Sequence, residues 1–522
     1  MRSMSLSHTS SVSDTQSQND RVLGPRFREK ITSAKAAARL VQPAATVGLS
    51  GFGGANHPKA VPPAIARLAD EQRAREGHHD YRLGLLTGAS TARGADGVLA
   101  DAGAIAWRVP YNADAELRRQ INDLEVDYVE VHLSRLAQQV REGYFGRMHT
   151  AIVEVAGITA DGELIPGSSL GNNQAWLDEA DQVILEVNSW QPIELDGAHD
   201  VYQNLGLPLN GTPIPLKHVN QHIGSPHLHV PIEKVVAVVL TDLPDESPAF
   251  TDPDADSRAM AGIILDFFEH EVKAGRMPAD TLLPLQSGVG NVANAVLASL
   301  ATSQYRGLNC YSELIQDGMI DLIDSGVVGF ASATALALSP AKFEQVKKNI
   351  GFYRDHIVLR PQEISNNPEL IRRLGVVAMN SMVEADIYGN VNSTHVNGTR
   401  VVNGLGGSGD YGRNGYLSVF MSPSTAKGGA ISKIVPFAAH IDHTEHDTQV
   451  LVTERGLADL RGLSPVRRAR TIIDNVAHPD YQGALNDYLE RARAKGGHVP
   501  HLFDEAFEWY ARFERTGSML PQ

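Results

Sequence analysis

From about residue 47 onward, short β-branched or apolar runs, each closed by Gly, Ser or Asn, alternate with Ala- and Leu-rich stretches of helical periodicity. The runs at 46–49, 82–86, 151–155, 183–187 and 235–241 predict strands in the first half, and those at 283–286, 308–311, 376–379, 433–437 and 449–453 predict strands in the second. Strands that alternate with helices build parallel sheets with right-handed crossovers, and such sheets bind ligands at the carboxyl ends of their strands. The fold class expected is α/β, with function sought in the glycine-rich loops after strands.

The apolar pattern breaks at 223–232, where Ile223, Gly224, Ser225, Pro226 and His227 precede the run at 235–241. This break divides the chain into an α/β domain over 26–225 and a second over 233–522, preceded by a disordered, serine-rich tail over 1–25. The two halves echo one another. The segments 158–168 (ITADGELIPGS) and 387–393 (IYGNVNS) each follow an apolar strand and a glutamate. The match is short and gapped, and it points to a duplicated α/β unit.

Composition narrows the function. A chain of 522 residues is too long for one ordinary core, and 42% hydrophobic residues suffice to fold it without staples. The excess of 61 acidic over 46 basic residues gives a formal charge of −15, which opposes binding to nucleic-acid phosphate or anionic lipid. Neither partner is expected. The single cysteine, Cys310, excludes an internal disulfide and any multi-cysteine metal site, and fits a cytoplasmic location. At the end of an apolar strand it reads as a packed, inert thiol. No apolar run reaches the ~18 residues of a membrane span.

Three glycine-rich loops carry the candidate chemistry. The first, 50–59 (SGFGGANHPK), follows a strand. The second, 286–295 (QSGVGNVANA), leads into an Ala-rich helix, whose free N–H groups favour an anion. On local grounds a tight strand-to-helix turn explains it equally well. The third contains Gly404, Gly406 and Gly409 in a GxGxxG spacing, but the residues that follow, 411–416, read as a turn, and no acid stands ~20 residues on. A nicotinamide-binding fold is therefore not expected. Between 399 and 433, Arg400, Arg413, Lys427 and Lys433 face one acid, Asp410, which makes a basic island in an acidic chain. His440, His443 and His446 cannot share one face of a helix, so no metal site is assigned to them.

Taken together, 286–296 (QSGVGNVANAV), 311–319 (YSELIQDGM), 403–410 (NGLGGSGD), 423–429 (PSTAKGG) and 443–447 (HTEHD) resemble the acetyl-CoA hydrolase/transferase family. Its succinyl-CoA:acetate and propionyl-CoA:succinate CoA-transferases are the nearest in pattern. The resemblance covers roughly 25–515 and includes Phe52, 58–62, 87–91 and 132–134 in the first half. It implies two class I CoA-transferase-type domains with parallel and mixed sheets, an active site in the cleft between them, and a homodimer. It also implies coenzyme A as acyl-CoA substrate, short-chain carboxylates as the other substrate, and no metal.

The same resemblance places the nucleophile at Glu313 and the oxyanion hole at the backbone amides of Val289 and Gly407. It puts another active-site side chain at Asn366. CoA contacts fall at Gly288, Val289, Gly290, Asn291, Val292, Asn403, Gly407 and Lys427. Without the resemblance, Glu313 reads as a surface glutamate after a strand, and Lys427 as an exposed lysine. A carboxylate with an ordinary pKa near 4.3 is ionised at neutral pH and attacks a thioester without a general base. Acyl-glutamyl anhydride and glutamyl-CoA thioester would follow in turn. With water as acceptor, the same glutamate would make the chain an acetyl-CoA hydrolase.

Overall fold

The computed structural model describes residues 20–77, 80–205, 211–246, 252–288 and 290–520. Two large parallel sheets carry the architecture. In the first, the strands lie side by side in the order Asp127–Tyr128, Ile105–Val109, Leu83–Leu86, Thr46–Leu49, Thr150–Val155, Gln182–Asn188 and Val235–Thr241. In the second, the order is Ile357–Leu359, Val328–Ala333, Leu308–Tyr311, Leu285–Ser287, Val377–Ser381, Leu417–Met421, Val450–Thr453 and Gly456–Asp459. Only the last of these is antiparallel to its neighbour.

Numbered along the chain, the strands of both sheets follow one arrangement: fourth, third, second, first, fifth, sixth, seventh, to which the second sheet adds an eighth at the edge. A small antiparallel hairpin follows the fifth strand in each, pairing Gly157–Ile158 with Leu164–Ile165 and Glu384–Asp386 with Val391–Asn392. The sequence echo between 158–168 and 387–393 falls on these two hairpins. Duplication is thus visible in topology where sequence similarity is faint.

The strands are short continuous apolar runs because helices cover both faces of a parallel sheet. Thr150–Val155 is buried at every position. Beside the second sheet, helix Ala255–Lys273, capped by Asp254 accepting from the Ser257 amide at 2.8 Å, packs on helix Asn291–Ala301 through Met260, Ile264, Val296 and Leu300.

Two sequence expectations are corrected. Strand Val235–Thr241, expected to open the second domain, pairs in parallel with Gln182–Asn188 and closes the first sheet. The Gly224–Ser225–Pro226 break is a local turn, in which Ser225 pairs with Val201, rather than a linker. The passage between sheets comes after Thr241, before helix Ala255–Lys273. The tail expectation also shifts. Residues 1–19 lie outside the described residues, but Val22 is fully buried and pairs with Ile158, and the Arg21 guanidinium donates to the carbonyls of Ala156, Ser189 and Gln191.

Strands 105–109, 127–128, 328–333, 357–359, 417–421 and 456–459 are additions to the sequence reading. Small or charged residues blunt the apolar signal in Val328–Ala333 (VGFASA) and Ile105–Val109 (IAWRV), whereas Ile357–Leu359 (IVL) is only three residues long. A helix, Ser408–Asn414, also replaces the turn expected after the third glycine loop. Its two internal glycines give poor helix propensity, which tertiary contacts of Asp410 and Tyr411 override.

The first glycine loop rests on a buried ionic cluster. The Lys59 ammonium donates to Glu154 Oε2 at 2.7 Å, lies 2.9 Å from Asp245 Oδ1, and reaches the His57 carbonyl at 3.0 Å. Burial alone would lower the Lys59 pKa, but Asp245 and Glu154 hold it above its ordinary value. Glu154 itself is pushed up to about 8 by burial. Removing Lys59 leaves buried acids without their cation, so Lys59→Met is expected to cost about 3–5 kcal/mol in urea-unfolding measurements. A loss below about 1 kcal/mol would reduce the cluster to the level of a surface ion pair.

Candidate active site

The sequence order of the second sheet reverses at strand Leu285–Ser287, which lies between Leu308–Tyr311 and Val377–Ser381. Ligands of open α/β sheets bind at such reversals, beyond the carboxyl ends of the strands. A cavity of about 280 Å³ opens there. Gly288 and Asn380 line it from the strand ends, Asn403 and Gly407 from the third glycine loop, and Phe52 and Tyr111 from the first half. Glu313 projects into it.

Glu313 follows strand Leu308–Tyr311 directly, and its carbonyl accepts from the amides of Thr334 at 2.9 Å and Ala335 at 3.2 Å. That segment is stitched to the first half: Leu170 N–H donates to the Thr334 carbonyl at 3.0 Å, and Leu336 N–H to the Ser168 carbonyl at 2.8 Å. At the side chain, Asn366 Nδ2 donates to Glu313 Oε1 at 2.9 Å. Two buried tyrosines fix the segment that carries Asn366. Tyr311 donates to the Ile364 carbonyl at 2.5 Å and Tyr411 to the Ser365 carbonyl at 2.6 Å.

The absence of a side chain at Gly407 makes room for the Glu313 carboxyl group. A Cβ built on it would overlap the Glu313 carboxyl group. The backbone of the loop therefore lies directly against the carboxylate, and the Gly407 amide donates to no acceptor among the described residues. An unpaired amide beside a nucleophile is the geometry from which an oxyanion can be stabilised.

Burial pushes the Glu313 carboxyl up to about 7, the Asn366 hydrogen bond pulls it down, and the charge of Asp410 adds to the rise. This corrects the expectation of an ordinary carboxylate. Asp410 is itself pushed up to about 7 by burial, while Ser134 opposes the rise through its N–H at 3.0 Å and its hydroxyl at 2.6 Å. Cys310 behaves as expected, buried and pushed up to about 12.

Of the sequence-derived site residues, Gly288, Glu313, Asn403 and Gly407 line the cavity and Asn366 bonds the nucleophile candidate. Val289 lies outside the described residues. Gly290 has a positive φ of 137° and precedes helix Asn291–Ala301, while Val292 sends its side chain into the core, leaving only backbone for a ligand. Lys427 is exposed and absent from the cavity lining, its ammonium 4.8 Å from the centre of the Phe513 ring.

Sequence reasoning missed Tyr111, Asn380 and Asp410 as parts of the site. Asn380 is held by the Gln286 side chain at 3.1 Å, and the Asn403 carbonyl accepts from Asn112 at 2.6 Å and Tyr128 at 3.1 Å. The prior signals were the position of Asn380 at the end of a predicted strand and that of Asp410 at the end of the 403–410 motif. The three histidines of 440–446 do not converge: His443 meets Ser408, His440 meets Asp442, and His446 is exposed.

The family model of the acetyl-CoA hydrolase/transferase N-terminal domain matches residues 13–210, and that of the C-terminal domain matches 345–489. The chain is 43% identical over 500 residues to a succinyl-CoA:acetate CoA-transferase of Clostridium kluyveri, covering 96% of this chain and 92% of that protein. It is 44% identical over 489 residues to a propanoyl-CoA:succinate CoA transferase of Escherichia coli, covering 94% and 98%. An acetyl-CoA hydrolase of Schizosaccharomyces pombe is 42% identical over 488 residues, covering 91% and 92%. Among solved structures, RipA from Yersinia pestis shares the fold at a TM-score of 0.69 and 23% identity, over 89% of this chain and 98% of that one.

The electrostatics give a paired expectation. If the ionised Glu313 is the reacting form, kcat/KM falls as pH drops through about 7. Asn366→Ala removes a hydrogen bond to the charged form and moves this acid limb to higher pH. Asp410→Asn removes a neighbouring negative charge and moves it to lower pH. Limbs that stay together in pH–rate profiles of both variants would separate Glu313 from the rate-controlling ionisation.

Proposed function

The chain belongs to the acetyl-CoA hydrolase/transferase family, and within it we propose an acyl-CoA:carboxylate CoA-transferase that uses Glu313 as nucleophile. The observation that carries this reading is the half-buried Glu313 carboxylate at the cavity wall, bonded by Asn366 and pressed against the backbone of Gly407. Its substrates would be short acyl-CoA esters and short carboxylates, succinate and acetate or propionate among them.

In this reading the ionised carboxylate attacks the thioester carbonyl. A C–O bond forms, the C–S bond breaks, and CoA leaves as thiolate, giving an acyl-glutamyl anhydride. The thiolate then attacks the glutamyl carbonyl, which releases the free carboxylate and leaves a glutamyl-CoA thioester. An incoming carboxylate reverses both steps and departs as its CoA ester. No proton is gained or lost overall, so no general base is needed. The amides of Gly407 and Val289 would receive the oxyanion of each tetrahedral intermediate, where one donor is worth roughly 10²–10³ in rate. Coenzyme A would run from Gly288 and Gly290 along the amino end of helix Asn291–Ala301, with Asn403 and Lys427 as further contacts.

A second reading keeps the same glutamate and lets water take the acyl or glutamyl group. It is favoured by the similarity to proteins named acetyl-CoA hydrolase. Acceptor choice rests on pocket shape and water exclusion rather than on the nucleophile.

Intact-protein mass spectrometry after mixing with acetyl-CoA, with CoA and succinyl-CoA followed in parallel, separates the readings. A transferase gives a CoA adduct on Glu313 and forms succinyl-CoA only when succinate is present. Steady CoA release indifferent to carboxylates, with no succinyl-CoA formed, makes the chain a hydrolase. Glu313→Gln is expected to lower turnover roughly 10⁴-fold or more while CoA binding persists. Lys427→Ala is expected to raise the KM for CoA esters with kcat little changed, and an unaltered KM would remove it from the CoA site.

A further inference from the structure

We propose that Glu130, His395 and His440 form a binding site for a divalent transition-metal ion of the Zn²⁺ type, outside the residues that line the cavity. One coordinating atom from each of the three lies within 4.8 Å of the other two. Glu130 comes from the first half, just after strand Asp127–Tyr128, whereas His395 and His440 come from the second. Two imidazoles and one carboxylate are a donor set that Zn²⁺ accepts with an open fourth position.

The hydrogen bonds around the cluster decide which atoms are free. His440 Nε2 lies 3.0 Å from Asp442 Oδ1. His395 Nδ1 lies 2.7 Å from Thr394 Oγ1, whose hydroxyl donates to Asp442 Oδ2 at 2.9 Å. The Asp442 side chain is only 6% exposed and also accepts from the Ser393 amide at 2.6 Å. Its carboxylate only accepts, so His440 presents its Nε2–H to Asp442, and the Thr394 hydroxyl, committed as donor to Asp442, accepts from His395 Nδ1–H. The remaining nitrogens, His395 Nε2 and His440 Nδ1, then carry lone pairs and meet no donor among the described residues.

Glu130 Oε1 is likewise buried without a partner. Burial and the charge of Asp442 push Glu130 up to about 7, and a cation seated among the three side chains would hold it ionised and satisfy its unpartnered oxygen. Carboxylates that orient metal-binding histidines from behind act as Asp442 does here.

Metal–ligand bonds of about 2.0–2.1 Å require donor atoms roughly 3.4 Å apart, so loading asks the side chains to rotate inward. The ion would fasten Glu130 to the hairpin of His395–Val396 and Arg400–Val401, which runs directly into the Asn403–Gly407 loop. Its role would be to position that loop, not to react.

The test is equilibrium dialysis of the full, untagged, chelator-stripped chain against Zn²⁺, with metal content read by mass spectrometry. The proposal requires one Zn²⁺ per chain, lost in His395→Ala/His440→Ala and retained in His446→Ala. Asp442→Asn should weaken binding by about 10–100-fold. Should the double variant fail to fold, Glu130→Gln, checked by circular dichroism, must show the weakened affinity. Absence of Zn²⁺ binding at micromolar free metal, or equal binding by wild type and the cluster variants, overturns the site.

Discussion

One half-buried carboxylate organises the centre of this molecule. Among the described residues Glu313 has a single side-chain donor, Asn366, and its charge is opposed by burial and by Asp410. A group so placed swings away or stays protonated unless its surroundings leave it no alternative. The structure meets this demand from several directions. Thr334 and Ala335 hold its backbone, two buried tyrosines hold the strand end and the Asn366 segment, and the absence of a side chain at 407 leaves the loop backbone lying on the carboxyl group.

The requirement also explains why both halves are needed. The two sheets share one strand order and one hairpin after the fifth strand, yet only the second supplies the candidate nucleophile. The first supplies walls, through Phe52 and Tyr111, and tethers, through Ser168 and Leu170. Where the second half keeps Glu313 poised for chemistry, the first uses its buried acids with Lys59 as a strut beneath its glycine loop. The strut holds the 50–59 loop in shape, and that loop forms one side of the cavity.

Much of this was legible in the chain. Strands 46–49, 235–241 and 308–311 were read to the residue because each is a compact apolar run between polar or glycine breaks. The glycine loops, read as candidate ligand contacts, line the cavity, and the family pattern pointed to Glu313, Asn366 and Gly407. What stayed hidden depends on contacts between distant segments. Helix Ser408–Asn414 forms because Asp410 meets Ser134 across 276 residues, and no local window contains that pair. Strand Val235–Thr241 joins the first sheet through its partner at 182–188, whereas its own sequence shows only that it is a strand. The elevated Glu313 pKa is a property of the enclosure, invisible in a motif.

That elevation bears on the proposed chemistry in a way the motif alone does not reach. In the proposed chemistry the same environment that lifts the Glu313 pKa would give a more basic, less hydrated attacking oxygen, at the expense of a smaller ionised share near neutral pH. In an acyl-glutamyl anhydride both carboxylates would share one site, so which carbonyl the thiolate attacks would rest on where the surrounding amides place it rather than on leaving-group basicity. The enclosure would thus raise the reactivity of one side chain without any additional catalytic group.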